Sequence, residues 1–145
     1  MKNPYNNKTV FVTGGASGIG RALCLALAGR GASVTVADVN GDAAAGVAEE
    51  IAATGGHARA CTLDVSDEGA VYGAVEAAVA EGGRLDYYFN NAGIGISADA
   101  LDLDIGQWRK VFDVNLFGVL YGTMAAYAAM AKQGASAELH DVCTL

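Results

Sequence analysis

The stretch that decides the fold is TGGASGIG, Thr13-Gly14-Gly15-Ala16-Ser17-Gly18-Ile19-Gly20. Ahead of it, KTVFVT (8–13) is a short β-branched run and reads as a buried strand. Behind it, GIGRALCLALAGR (18–30) sets Ile19, Leu23 and Leu27 at helical spacing, and Arg30 with Gly31 suits a helix end. A glycine-rich turn between strand and helix has a physical logic. One glycine permits the tight exit from the strand, one lets backbone approach a pyrophosphate, and one lets the helix lie close on the sheet. The helix start then offers unpaired N–H groups and a positive dipole end to phosphate. Spacing alone fits a ligand-free turn as well, so the context has to decide.

The context favours a dinucleotide. Ser33, Val34, Thr35, Val36 and Ala37 form a second strand, and Asp38 follows it, 18 residues past Gly20. A ribose-binding acid is expected about 20 residues on from such a loop. A carboxylate there accepts hydrogen bonds from ribose hydroxyls and repels a 2′-phosphate, which favours NAD over NADP. No lysine or arginine lies in the loop or directly after Asp38. The other reading of Asp38 is a turn cap, since Asn40 and Gly41 follow.

Working outward, strand and helix alternate. Residues 42–53 are an Ala/Glu-rich helix with Val47 and Ile51 one turn apart, and 57–63 (HARACTL) is a third strand. Ser66 is placed as the cap of a helix running to about Ala80, with Val71, Val75 and Val79 on one face. Residues 85–90 (LDYYFN) are a fourth strand, and a long fourth helix runs from Gly106 to about Ala131. This alternation predicts βαβ units, a parallel sheet and helices on both faces. The 145 residues fit a single domain, 1–145, with 135–145 as an atypical tail.

Composition narrows the function classes. A net charge of −7 leaves no basic surface for nucleic acid, yet backbone N–H groups can hold a phosphate without lysine. Cys24, Cys61 and Cys143 are odd in number and lack a CxxC pair, which reads as reduced thiols in a cytoplasmic protein. The polar start, Met1 to Thr9, has no apolar core of a signal peptide. The longest uncharged apolar stretch, 116–131, is shorter than the ~20 residues of a membrane span and reads as a buried helix. His57 and Cys61 would lie about 13 Å apart on a strand, too far to share a metal. The remaining cluster, His140, Asp141 and Cys143, falls in the tail, and no metal site is expected.

With four motifs in order, the chain resembles the short-chain dehydrogenase/reductase family. TGGASGIG matches its TGxxxGxG loop, Leu63-Asp64-Val65 its adenine-contacting acid and neighbour, and Asn90-Asn91-Ala92-Gly93 its NNAG motif. Asn115, in VFDVNLFG (111–118), matches the asparagine of its long fourth helix. The resemblance covers about residues 5 to 134. It implies a Rossmann-type doubly wound sheet of strand order 3-2-1-4, incomplete on its C-terminal side, with a partial fifth strand left open. It implies that Gly14, Ser17, Gly18, Ile19 and Gly20 hold the pyrophosphate and Asp38 the adenosine ribose. Asp64 and Val65 would flank the adenine, while Asn90, Ala92 and Gly93 line the cofactor. Asn115 would support a proton relay. Turn chemistry at Asn90 and Asn91, and a helix-kink role for Asn115, remain open beside these.

The resemblance also implies a serine, a tyrosine and a lysine at the chemistry. The tyrosine acts as general acid/base, its pKa drawn down from ~10 by a lysine one helical turn on, the YxxxK pattern. None of the six tyrosines here has a lysine four residues later; Tyr127 has Lys132 five later. The ending VCTL (142–145) can be aligned with the end of a fifth strand, which places Thr144 at the serine's position. His140 and Asp141 suit a doubly buried strand poorly, so an aberrant tail fits equally. Three readings therefore stand: part of an NAD-dependent oxidoreductase acting on a secondary alcohol or ketone, a non-catalytic cofactor-binding or interaction module, or a fragment with no function of its own. Missing strands would leave an edge and an apolar face exposed, favouring self-association or pairing with a full-length relative. The fourth helix, with Trp108, Phe112, Val119 and Met130, is the expected contact.

Overall fold

The computed structural model describes residues 3–99 and 102–134, and the backbone of 142–144. Five parallel strands form one sheet: β1 (Thr9–Thr13), β2 (Ser33–Asp38), β3 (His57–Thr62), β4 (Tyr87–Asn90) and β5 (Val142–Thr144). Their order is β3-β2-β1-β4-β5. The helices are α1 (Gly18–Ala28), α2 (Gly41–Ala53), α3 (Glu68–Gly82), α4 (Ile105–Phe112) and α5 (Gly118–Lys132), and a π-helical turn (Asp113–Phe117) joins the last two. This is an α/β Rossmann-like fold, with the strand order 3-2-1-4 that the resemblance implied and a fifth strand beyond it.

Side chains alternate across each strand, and the alternation sorts the core into two layers. Val10, Val12, Val34 and Val36 point to one face and pack with Cys24 and Leu27 of α1 and Val47 and Ile51 of α2. Phe11 and Tyr88 point to the other and pack with Val71 and Val75 of α3 and Ala126 and Met130 of α5. Both faces are covered, so β1 is buried almost throughout instead of alternating with solvent. At the amino ends of the strands the Asp86 carboxylate, nearly buried, takes Lys8, Arg84 and the amide of Thr9. Two glycines let α5 lie close. A Cβ at Gly118 would meet Val65 at 2.8 Å, and one at Gly122 would meet the Tyr88 ring at 2.7 Å.

The structure corrects several expectations. The fourth helix is not simply buried. Gly118, Gly122, Ala125, Ala126 and Met130 face the core, while Trp108, Phe112, Leu120, Met124 and Tyr127 stand in solvent. Met130 therefore belongs to the core and not to an outer contact face, and Val119 is only partly exposed. The run Ile105–Lys132 covers 28 residues and its most apolar 18-residue window has mean hydropathy 1.3, enough for a membrane span by length and composition alone, a test that the core helix of a globular protein also passes. Nor does Ser66 cap α3; Asp67 does, its side chain accepting from the amide of Ala70. Finally, β4 is not a bare edge, since Tyr88, Phe89 and Asn90 pair with 142–144.

Candidate functional site

The strand order reverses between β1 and β4, so the crossovers on either side leave in opposite directions. A crevice at the carboxyl ends of the strands is the consequence. It holds a cavity of about 840 Å³.

The glycine loop forms its floor. Gly14 and Gly18 adopt φ of 63° and 51°, left-handed values that favour glycine. A Cβ at Gly14 would lie 2.8 Å from Cα of Ala92, so the loop runs tight against the turn after β4. A Cβ at Gly18 would meet nothing within 4 Å. That glycine opens onto the cavity, and its bare backbone is accessible to a ligand. Asn40, Asp67 and Asp104 each cap their helix by a side-chain bond to a first-turn amide. Ser17, in extended conformation ahead of α1, makes no such bond. The first-turn N–H groups of α1 thus lack a side-chain partner among the described residues, which fits a phosphate cradle.

Asp38 stands at the end of β2 and lines the cavity. Its Oδ2 accepts from the amide of Ala16 at 3.1 Å and its Oδ1 from the amide of Asn40 at 3.0 Å. The turn-cap role exists, then, and it latches the glycine loop to the turn before α2. Each oxygen retains a further acceptor site for a hydroxyl. Asp64 lines the wall beyond. Its Oδ1 accepts from the hydroxyl and the amide of Ser66 at 2.7 and 2.9 Å. Those bonds, with a smaller contribution from the charge of Lys110, hold its carboxyl below the usual range.

The turn after β4 is clamped to the end of β1. Thr13 Oγ1 donates to the Phe89 carbonyl and accepts from the amides of Asn91 and Ala92. The Asn91 side-chain amide donates to the carbonyls of Thr13 and Gly14 at 3.0 and 3.1 Å. Asn91 lines the cavity with Ala92 and Gly93, whereas Asn90 does not. Asn90 is buried and its amide donates to Thr123 Oγ1 of α5 at 3.2 Å. The expectation for Asn90 thus passes to its neighbour, because adjacent residues at a strand end face opposite ways. Asn115 sits in the π-helical turn, outside the cavity lining. Its side chain accepts from the amide of Ile94 and donates to its carbonyl, each at 2.8 Å.

Of the expected residues, the structure brings together Gly14, Ser17, Gly18, Ile19, Gly20, Asp38, Asp64, Val65, Ala92 and Gly93 around one cavity. Thr144 pairs in register with Asn90, at the same end of the sheet. His140 and Asp141 lie outside the described residues. Sequence reasoning missed the wall from α4 and the π-turn, namely Gly106, Arg109, Lys110, Asp113 and Val114. The helical pattern of 106–131 was visible, but nothing in that pattern says that the start of the helix and the π-turn wall the cavity. Among the described residues no group of three His, Cys, Asp or Glu side chains gathers to hold a metal. Cys24 and Cys61 are free thiols.

A parallel sheet reversing at β1/β4, with a glycine loop at the reversal, defines a Rossmann-like α/β protein. The family model described as short chain dehydrogenase matches residues 8–137, and the chain belongs to that family of oxidoreductases. It is 42% identical over 138 residues to the cyclohexanol dehydrogenase of Acinetobacter sp. (strain SE19), covering 94% of this chain and 55% of the relative. It is 39% identical over 127 residues to the cyclopentanol dehydrogenase of Comamonas sp. (strain NCIMB 9872), covering 88% and 51%. A crystal structure of a short-chain type dehydrogenase/reductase from Mycobacterium marinum superposes with a TM-score of 0.88 at 35% identity, covering 92% and 54%. The chain thus spans about half the length of these relatives.

Proposed function

We propose that this chain is the NAD-binding portion of an oxidoreductase that passes hydride between a nicotinamide cofactor and a secondary alcohol or ketone. The observation that carries the reading is the cavity at the strand-order reversal, floored by an uncapped helix start and walled by Asp38. Bound NAD would supply the hydride chemistry. The chain's own residues supply position. Gly14, Ser17, Gly18, Ile19 and Gly20 would hold the pyrophosphate by backbone, and Asp38 the adenosine ribose. Asp64 and Val65 would flank the adenine, with Ala92 and Gly93 on the side of β4. The carboxylate of Asp38 favours NAD over NADP by repelling a 2′-phosphate. The alcohol class follows from similarity to the cyclohexanol and cyclopentanol dehydrogenases.

A second reading rests on a specific observation. No tyrosine within these residues has a lysine at the fourth position on. Taken alone, this chain acts as a cofactor-binding module, and Thr144 and Asn115 contribute to chemistry only where another segment or chain supplies the tyrosine and lysine. The exposed apolar face of α4 and α5 would serve pairing with a second copy or a longer relative. The free thiols go with a cytoplasmic setting. Calorimetric titration of NAD into this chain tests the cofactor reading. Because Asp38 also latches the glycine loop, Asp38→Ala and Asp38→Asn are both needed. Binding that weakens about tenfold or more in each, with NADP weaker than NAD in the parent, supports the reading. Absence of NAD binding in a folded parent chain overturns it. Oxidation of cyclohexanol by the chain alone would overturn the module reading.

A further inference from the structure

The cavity wall carries three carboxylates, Asp38, Asp64 and Asp113, and two cations, Arg109 and Lys110. Among the described residues Lys8 and Arg84 pair with Asp86, Arg21 with Glu50 and Arg59 with Glu81, while Arg30 and Lys132 carry no ion pair and do not line the cavity. Among the described residues no side-chain hydrogen bond or ion pair holds Arg109 or Lys110. Basic residues in the last turn of a helix are ordinarily explained by the negative dipole end. That explanation is weak here, because α4 does not end. Its chain continues through the π-turn into α5, and the Asp113 amide already satisfies the carbonyls of Arg109 and Lys110.

A dinucleotide brings two negative charges at its pyrophosphate into a chain of net charge −7. Against three carboxylates alone the potential of the cavity would oppose it, and a low-dielectric wall strengthens that opposition. With Arg109 and Lys110 the lining comes within one negative charge of neutral. We propose that Arg109 and Lys110 are the counter-charges of this cavity, binding residues that set its affinity for an anionic dinucleotide, with Lys110 acting beside Asp64. This rests on the cofactor reading above and adds to it residues outside the loop and strand-end motifs.

The test is calorimetry on this chain at low and at high ionic strength, with NAD and with uncharged adenosine. The variants are Arg109→Met, Lys110→Met, the double variant, Lys110→Glu and Lys110→Arg. Each single methionine variant is expected to weaken NAD about three- to tenfold at low salt, the double more and Lys110→Glu more than Lys110→Met. Adenosine is expected to bind unchanged, Lys110→Arg to match the parent, and the differences to shrink at about 0.5 M salt. Unchanged NAD affinity in the double variant overturns the proposal. So does equal weakening of NAD and adenosine, the signature of lost packing. A folded parent that binds neither compound instead overturns the cofactor reading, which is a distinguishable result.

Discussion

At Tyr88 a single atom sets the sign of a mutation. The ring is fully buried and stacks on Phe11, with centroids 5.0 Å apart and planes 10° from parallel. Its hydroxyl is buried with no hydrogen-bond partner among the described residues, and burial pushes its pKa up. An orphaned buried hydroxyl costs about 1–3 kcal/mol of desolvation. Tyr88→Phe keeps the stack and removes the orphan, so it is expected to raise stability by about 1 kcal/mol or leave it unchanged, as read by urea denaturation. A loss above about 1 kcal/mol would mean that the hydroxyl has a partner. Cys24 gives a pH dependence. Burial raises its thiol to about 12, while the unfolded thiol titrates near 8.5. The raised group contributes stability that is complete below the unfolded value and is lost as pH climbs toward the folded one. The expected result is a decline above about pH 9 with a slope of up to about 1.4 kcal/mol per unit. Cys24→Ala, less stable at neutral pH, should lack that component, so the two stability curves converge on the alkaline side.

Among the elements, the π-turn shows what one inserted residue does. A π-helical turn within a longer helix shifts the side-chain register locally. Here it holds Asn115, whose amide brackets the backbone of Ile94 as a strand partner would. Asn115→Ala deletes both bonds, and the expected cost is about 1–2 kcal/mol. The amide of Ile94 should exchange with solvent faster, while that of Val12 in β1 keeps its protection. Equal exchange at Ile94 in both proteins would remove the bracket from the account. The π-turn was not legible in the sequence, because apolar residues every three or four positions fit α and π turns alike. Nor was the choice of Asp67 over Ser66 as cap, since both residue types cap well and only the turn at Asp64 decides. The β-branched runs, the glycine loop and the position of Asp38 were legible, because strand burial and left-handed backbone each demand particular residue types. Asn90 and Asn91 show the limit within the site: composition marks the motif, but only strand register says which of the pair faces the cavity.

For the whole molecule the open question is the outer face of the long helix. Trp108, Phe112, Leu116, Leu120, Met124 and Tyr127 recur every three or four residues, each between 45% and 56% exposed. Ile105 and Phe117 extend the same surface. The sequence marked the helix as apolar but not which of its faces the rest of the chain covers. The small residues Gly118, Gly122, Ala125 and Ala126 select the inner face, because they allow close approach to α3 and β4. The large side chains are left outside. On the pairing proposal this contiguous apolar surface is the contact. A two-fold contact would lay the helix antiparallel against its copy, each stripe facing itself. On the pairing proposal, this chain should sediment as a dimer or larger species at micromolar concentration. Leu120→Glu combined with Met124→Lys, neutral in net charge, should shift it to monomer while leaving the melting transition and NAD affinity in place. Glu49→Lys on exposed α2 should not. A parent chain that is monomeric at about 100 μM, or a double variant that associates as the parent does, would show that the stripe does not hold two copies together.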